Sequence, residues 1–193
     1  MNTIPEKIVY INLFDQIDHG RVQAIMAFCS NLVANEHPSK LHFLLSSPGG
    51  SVDAGIALYN FLKALPVKIV MHNTGTIDSI ATVIFLAGDE RYAAPHSSFL
   101  FHGVAAQFPA NTALTLPHLQ ERVSCIRQDQ NKIAGIISAS TKLTPADIES
   151  LFAQGESKDI DFAIDKGIVH ERRDPLIPVG SKFVTLSFQQ VAG

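Results

Sequence analysis

The sequence of 193 residues predicts an α/β protein that is built on a parallel β-sheet. Two observations lead to this class. Short apolar segments rich in β-branched residues alternate along the chain with longer segments in which apolar residues recur at helical spacing. The first of these short segments is apolar throughout, which is typical of a strand that is buried on both faces. Strand, helix and strand in this order form a parallel sheet with right-handed crossovers.

The amino-terminal part of the chain contains the clearest elements. Apolar runs predict three strands, at residues 7–14, 41–45 and 67–71. Between them, helical spacing predicts a helix over residues 18–34, which His37-Pro38 closes, and a second helix from Ile56 that Pro66 ends. The buried face predicted for the second helix consists of Ile56, Tyr59, Phe61 and Leu62.

The middle of the chain is predicted to be more irregular. Residues 73–79 are polar and predict a turn, which leads into an apolar segment, residues 80–88. That segment is expected to be a buried helix capped by Gly88, with Ser79 at its first turn. Two short strands follow, at residues 91–94 and 98–101, and His102 comes directly after the second. Residues 103–115, which include Phe108-Pro109-Ala110, predict a loop or an irregular strand.

Three helices and an edge strand are expected in the last third. A long helix is predicted over residues 117–138, with a buried face made of Leu119, Val123, Ile126, Ile133 and Ile137. Thr144-Pro145-Ala146-Asp147 predicts the start of another helix, which Gly155 stops. A short helix over residues 161–166 is predicted to end at Gly167. The alternation of Val184, Leu186 and Phe188 predicts an edge strand.

Composition narrows the class of protein. A hydrophobic content of 46% and the absence of a linker favour one domain over residues 1–193. A net charge of −3 without a basic cluster argues against nucleic acid or an anionic membrane as a partner. Neither a secretory signal nor a membrane-spanning run is visible, so a cytoplasmic location is expected. Cys29 and Cys125 lie in helix-like segments without metal-ligand spacing and predict reduced thiols in the core, with no metal.

The stretch from Leu44 to Gly55 predicts a strand, a tight turn and a helix, with Gly49-Gly50 at the centre. Adjacent glycines permit positive φ and close approach of another segment, and they leave peptide N–H groups facing an open site. Such donors stabilise an anion or the oxyanion of acyl transfer. The alternative is an ordinary bend between a strand and a helix.

Ser79 and His102 are the candidate reactive pair. A serine at the start of a buried helix is held rigidly, but its hydroxyl needs a base to act as a nucleophile. His102, at the end of a neighbouring strand, is the candidate base, because imidazole takes up and returns a proton near neutral pH. The alternatives are a helix cap for Ser79 and a core histidine for His102.

Three motifs together resemble the proteolytic subunit of Clp protease. They are Ser47-Pro48-Gly49-Gly50-Ser51-Val52-Asp53-Ala54-Gly55, Gly75-Thr76-Ile77-Asp78-Ser79 and Pro95-His96-Ser97-Ser98-Phe99-Leu100-Phe101-His102. The resemblance extends from about Ile8 to Val169. It implies a crotonase-like α/β spiral of ββα units and a serine peptidase without a cofactor. It also implies peptide or unfolded protein as substrate and a homo-oligomeric ring as the assembly.

Residue roles follow from the same resemblance. Ser79 resembles the nucleophile and His102 the general base, while the N–H groups of Gly50 and Ile80 resemble the oxyanion hole. The family's third residue, an aspartate that orients the histidine, corresponds to Leu151. Leucine cannot orient an imidazole, so the nearby acids Asp147 and Glu149 are candidates for this role, and a dyad or a carbonyl partner is the alternative. Asp78 is a further acid, adjacent to Ser79.

Two family features of assembly are changed. The axial segment before the first strand is short, and residues 103–115 replace the glycine-rich part of the inter-ring segment. Both differences argue against ring stacking and against coupling to an AAA+ unfoldase ATPase. Residues 174–193 form a carboxy-terminal extension without a family counterpart.

Three other functions compete with this assignment. A peptidase of the signal peptide peptidase A type uses serine with lysine, for which Lys132 is the candidate. A crotonase-type enzyme acting on acyl-CoA also uses two backbone donors and would not require Ser79. A degenerate subunit would keep the fold and assemble without cleaving, and Leu151 is the observation that favours it.

Overall fold

The computed structural model describes residues 6–106, 108 and 113–186. Fourteen elements occur in these residues: β1 (Ile8–Phe14), α1 (His19–Glu36), β2 (Lys40–Ser47), α2 (Val52–Ala64), β3 (Lys68–Asp78), α3 (Ala81–Phe85), β4 (Glu90–Ala93), β5 (Ser98–Leu100), α4 (Leu116–Ser140), α5 (Pro145–Gln154), β6 (Ser157–Lys158), α6 (Ile160–Asp165), β7 (Glu171–Arg172) and β8 (Lys182–Thr185). The predicted α/β class is confirmed.

The strands form one mixed sheet that is mainly parallel. Its order is β6-β5-β3-β2-β1-β8, with β4 paired to β3 and to β7, and the pair β5–β6 is antiparallel. β3 pairs with β4 through Val70–Asn73 and with β5 through Thr76–Asp78. A single strand therefore serves two partners in succession, and its second half delivers the chain to the candidate site.

The core lies between this sheet and the helices. β1, β2 and the first half of β3 contribute mostly buried apolar side chains, as expected for strands covered on both faces. α1 begins after Asp18, whose carboxylate accepts a hydrogen bond from the Arg21 amide, and it buries Val22, Ile25, Cys29 and Leu32. α3 is buried along its whole length, as its apolar sequence predicts.

β3 is longer than predicted, because it continues through the polar residues that were expected to form a turn. Side chains satisfy the backbone where the pairing with β2 shifts between Leu45 and Ser47. Asn73 Oδ1 accepts a hydrogen bond from the Gly75 amide at 3.0 Å, and Ser46 Oγ accepts one from the Thr76 amide at 3.1 Å. Polar residues thus stabilise an irregular strand here.

Two predicted helices differ in their limits. α2 begins at Val52, where the Ser51 side chain caps it, and its buried residues are Ala54, Gly55, Leu58 and Leu62. Of the predicted buried face only Leu62 is fully buried. α3 ends at Phe85, and Gly88 is not its cap: a Cβ at Gly88 would lie 2.9 Å from Met71 Cγ, so close packing requires this glycine.

The long helix α4 differs from its prediction in the face that it buries. Only Ile133 and Ile137, in its carboxy-terminal half, are buried. Leu119 and Val123 are 43% and 48% exposed. The prediction of a core thiol at Cys125 is wrong for the same reason, since this residue is exposed on the same half of the helix, whereas Cys29 is buried as predicted. The amino-terminal half therefore extends beyond the core, and its apolar stripe has no covering element among the described residues.

The carboxy-terminal elements agree with the local signals. Thr144 and Asp147 form a capping box at the start of α5, and Gly155 ends it with φ 61°. α6 begins at Ile160 and ends at Asp165, each one residue earlier than predicted. β8 is an edge strand, paired in parallel with β1. Phe188, Pro109 and Ala110 lie outside the described residues, and no described helix is long and apolar enough to cross a membrane.

Candidate active site

Ser79 lies at a sharp elbow between β3 and α3. Its φ is 57°, in the left-handed region that non-glycine residues rarely adopt. Its amide donates a hydrogen bond of 2.8 Å to the Leu100 carbonyl, and its own carbonyl accepts bonds from the amide and the hydroxyl of Thr82, at 3.0 and 2.7 Å. The surrounding structure therefore fixes this strained backbone conformation, which is a common feature of functional sites.

The glycine turn packs directly against this elbow. Gly49 has φ 87°, and a Cβ there would lie 2.6 Å from Ser79 Cβ and 2.7 Å from the Asp78 carbonyl oxygen. At Gly50, where φ is 149°, a Cβ would lie 2.1 Å from the Ile17 carbonyl oxygen. Both positions thus require glycine, because a side chain at either would displace a neighbouring backbone.

Hydrogen bonds to Ile17 orient the turn. The Ile17 amide donates to the Gly49 carbonyl and the Ser51 amide donates to the Ile17 carbonyl, both at 2.8 Å. Ile17 and Gly50 thus form a parallel bridge, in which the residues on either side of Gly50 make the hydrogen bonds to Ile17. The N–H of Gly50 itself therefore faces away from Ile17. Within the described part of the chain, the Gly50 amide has no backbone acceptor and lies at the cavity, where a ligand can accept its hydrogen bond.

The structure brings the four predicted site residues together. Ser79, His102, Gly50 and Ile80 all line one cavity of about 170 Å³. Its other walls are mainly apolar and come from several elements, which sequence reasoning did not assign to the site: Val52, Thr82, Phe101, Gly103, Val104, Ala105, Ile133 and Phe152. Long-range packing collects these residues, so no local pattern in the sequence indicates them.

His102 is exposed and lies two residues beyond β5. Its Nδ1 is 2.8 Å from the Gly103 carbonyl oxygen. With the proton on Nδ1, that nitrogen donates to the carbonyl and Nε2 is left as an acceptor, which is the tautomer that a general base requires. The Gly103 amide in turn donates to the Phe152 carbonyl at 3.2 Å, which fastens this segment to α5.

The acids proposed as the third residue have other surroundings. Asp147 Oδ2 accepts hydrogen bonds from the Thr144 amide and hydroxyl, at 2.9 and 2.8 Å, and these bonds lower the pKa of its carboxyl. Glu149 is exposed in the groove between α4 and α5. Leu151 is buried in the core. Among the described residues the imidazole has a backbone carbonyl as its hydrogen-bond partner, and no carboxylate.

Lys132 lies outside the cavity. Its ammonium is 3.0 Å from the carboxylate of Asp129, one turn away on α4, and this partner raises the pKa of the lysine. A lysine that acts as a base needs the opposite shift. The site thus gives no support to the serine–lysine alternative.

A serine on a strained elbow, an imidazole and the glycine turn with its Gly50 amide, all in one cavity of an α/β fold, define the class of serine hydrolases. The chain belongs to the Clp protease family, whose sequence model, described as Clp protease, matches residues 4–172. This membership confirms the predicted family and the predicted serine-peptidase class, and it does not favour the crotonase-type or signal peptidase alternatives.

Curated relatives carry the same description. The ATP-dependent Clp protease proteolytic subunit 1 of Leifsonia xyli subsp. xyli is 28% identical over 184 residues, which cover 92% of this chain and 88% of the relative. Subunit 4 of Rhodococcus jostii is 26% identical, over 89% of this chain and 84% of the relative. Subunit 1 of Corynebacterium jeikeium is 30% identical over 103 residues, and this match spans only 54% of that relative.

A solved structure is similar in fold. A mutant of ClpP1 from Listeria monocytogenes superposes with a TM-score of 0.71 over 88% of this chain and 92% of that chain, at 18% sequence identity. The likeness at this identity concerns the backbone, and it confirms the ClpP-like, crotonase-type spiral that the motifs implied.

Proposed function

We propose that this protein hydrolyses peptide bonds through an acyl-enzyme on Ser79, with His102 as the general base. The observation that carries the proposal is that Ser79, His102, Gly50 and Ile80 line the same cavity. Family membership supports the substrate class, a peptide or an unfolded protein. The cavity itself supports a serine mechanism without a cofactor, because a nucleophile, a base and two amides are all that acyl transfer needs.

His102 acts first as a base and then as an acid in each half-reaction. Nε2 of His102 takes the proton of Ser79 Oγ as the oxygen attacks the peptide carbonyl, and the N–H groups of Gly50 and Ile80 face the resulting oxyanion. The imidazolium then gives its proton to the departing amine, and the acyl-enzyme remains. Water attacks the ester and gives a proton to His102, and the imidazolium returns this proton to Ser79 Oγ as the bond to the acyl group breaks and the acid leaves.

The backbone of Gly103 is the partner that we assign to the imidazole. Its carbonyl oxygen, 2.8 Å from Nδ1, supports the required tautomer without a carboxylate. Asp147 and Glu149 remain predictions for a third member, with less support: the first caps a helix and the second is exposed. A serine–histidine dyad is therefore the arrangement that the geometry favours.

Assembly into a homo-oligomer is part of the proposal. The apolar residues Leu116, Leu119 and Val123 on the amino-terminal half of α4 are 67%, 43% and 48% exposed, which supports their burial against another copy of the chain. We expect this homo-oligomer to be a ring located in the cytoplasm, as the resemblance to the Clp proteolytic subunit implies. Coupling to an AAA+ unfoldase ATPase is not part of the proposal and stays a prediction.

Covalent labelling tests the mechanism directly. We expect treatment with a fluorophosphonate to add one adduct, measured as intact mass, and Ser79→Ala to abolish it. Ser30→Ala is the matched control, because Ser30 is exposed on α1, outside the cavity, and should leave labelling unchanged. Native protein that stays unmodified at about pH 8, where an ordinary histidine is neutral, would contradict the proposal.

A further inference from the structure

Asp78 is an ionisable group at the site that the mechanism above does not use. It is the last residue of β3 and directly precedes Ser79. The residue is half-buried. A carboxylate in this position has to be stabilised by nearby groups, because burial removes water that would otherwise solvate its charge.

The pairing of β3 with β5 sets Asp78 beside the segment that carries His102. Asp78 lies opposite Leu100 in the parallel register, and the hydrogen bond from the Ser79 amide to the Leu100 carbonyl extends this pairing by one residue. His102 follows Leu100 by two residues. The same strand pair therefore holds the nucleophile and places Asp78 beside the strand that leads to His102.

The charges of the two groups interact. Burial raises the pKa of Asp78, while a hydrogen bond from Thr76 and the positive charge of His102 lower it. Opposite charges at this separation attract each other, so a negative charge at Asp78 favours a positive charge on the segment after β5. On the neighbouring strand β6, Lys158 lies 3.0 Å from the Glu156 carboxylate, so the charged groups of that element are engaged with each other.

We propose that Asp78 is a positioning residue for His102 that stabilises the imidazolium formed in the tetrahedral intermediate, in place of the aspartate that Leu151 replaces. Asp78 has this role only if the site is the peptidase site proposed above. The carboxylate acts from the strand that bears the nucleophile, at a distance and without a direct hydrogen bond to the ring. Gly103 fixes the tautomer, and Asp78 supplies the negative charge.

The test is the pH dependence of fluorophosphonate labelling, which needs no knowledge of the natural substrate. Asp78→Asn removes the charge with little change of shape. We expect the labelling rate at neutral pH to fall about tenfold, the effect of roughly one pK unit of lost interaction, and the acid limb of the pH–rate profile to move to lower pH. Asp78→Glu, which keeps the charge, should restore most of the limb.

The control is Asp165→Asn, because Asp165 is exposed at the end of α6, outside the cavity, and its loss changes the net charge equally. Thr76→Val removes the hydroxyl that stabilises the Asp78 carboxylate. It should shift the acid limb in the same direction as Asp78→Asn, but by less. If Asp78→Asn does not fold, Thr76→Val serves as the test. An unlabelled wild type would overturn the proposed function itself. A labelled wild type with the same limb in all variants would overturn only the role of Asp78.

Discussion

The two halves of the candidate site are built in different ways. Ser79 lies between a long strand and a fully buried helix, and hydrogen bonds and the adjacent Gly49 hold its backbone. His102 follows a strand of three residues, is exposed, and leads into residues 103–106, which have no regular structure.

This difference separates the energetic roles of the halves. The serine half is continuous with the core, so a change in it affects folding and catalysis together. The histidine half leaves the core after the buried Phe101, and beyond His102 the Gly103 amide bonds to the Phe152 carbonyl, so a change there should affect catalysis with little effect on folding. The serine half should therefore show the largest effect on stability, followed by the buried histidines of the sheet and then by the histidine half.

Gly49→Ala should break the serine half. A Cβ at this position would lie 2.6 Å from Ser79 Cβ, and φ 87° is unfavourable for alanine. We expect the free energy of unfolding, measured in urea, to fall by about 2–4 kcal/mol, together with loss of Ser79 labelling. Gly135→Ala on α4 is the control: its Cβ would meet nothing within 4 Å, so this variant should be as stable as wild type or more stable. Equal effects of the two variants would refute the proposed contact.

Acid should destabilise the sheet independently of the site. Burial lowers the pKa of His42 from 6.5 to about 4 and also lowers that of His72. His42 Nε2 and His72 Nδ1 are buried without a hydrogen-bond partner in the described part of the chain. Between pH 6.5 and about 4 the unfolded chain binds protons that the folded protein does not, so the free energy of unfolding falls as the pH falls.

The magnitude of this loss is on the order of 2 kcal/mol for His42. Urea unfolding at a series of pH values measures it, and His42→Phe should flatten the curve over this range. His19→Phe, at an exposed position at the start of α1, is the control and should leave the curve unchanged. A curve for His42→Phe that still matches wild type would show that another group carries the acid sensitivity.

Gly103→Ala should separate activity from stability in the histidine half. A Cβ there would lie 3.0 Å from Gln130 Nε2, the end of a flexible side chain that can move aside. We expect the free energy of unfolding to stay within about 1 kcal/mol of wild type, while labelling of Ser79 slows because the Gly103 carbonyl and His102 shift together. A large loss of stability with normal labelling would reverse the comparison between the halves.

Lys132→Met should have the smallest effect. The ammonium makes an exposed pair with Asp129 on the same helix, and exposed pairs of this kind contribute little to stability. We expect unchanged labelling and an unchanged pH profile. Loss of labelling would instead favour a lysine base and would remove His102 from that role.

Local signals in the sequence predicted much of the site. The glycine pair, the serine before an apolar helix and the histidine after a strand are recognisable because their requirements, positive φ, a buried helix and a strand end, depend on near neighbours. The same is true of the capping box that starts α5 and of Gly155 that ends it.

Tertiary structure alone decided which residues are neighbours in space. Apolar residues recur at the same helical spacing along α4, but only Ile133 and Ile137 are buried in the core. Their burial depends on which other elements pack against that part of the helix, and the spacing of apolar residues does not reveal this. The polar residues of β3 continue the strand because Ser46 Oγ of β2 accepts a hydrogen bond from the Thr76 amide. Similarly, the sequence by itself indicated Ser79 and His102 as the candidate reactive pair, while the pairing of β3 with β5 decided which backbone lies beside Ser79 and leads to the histidine.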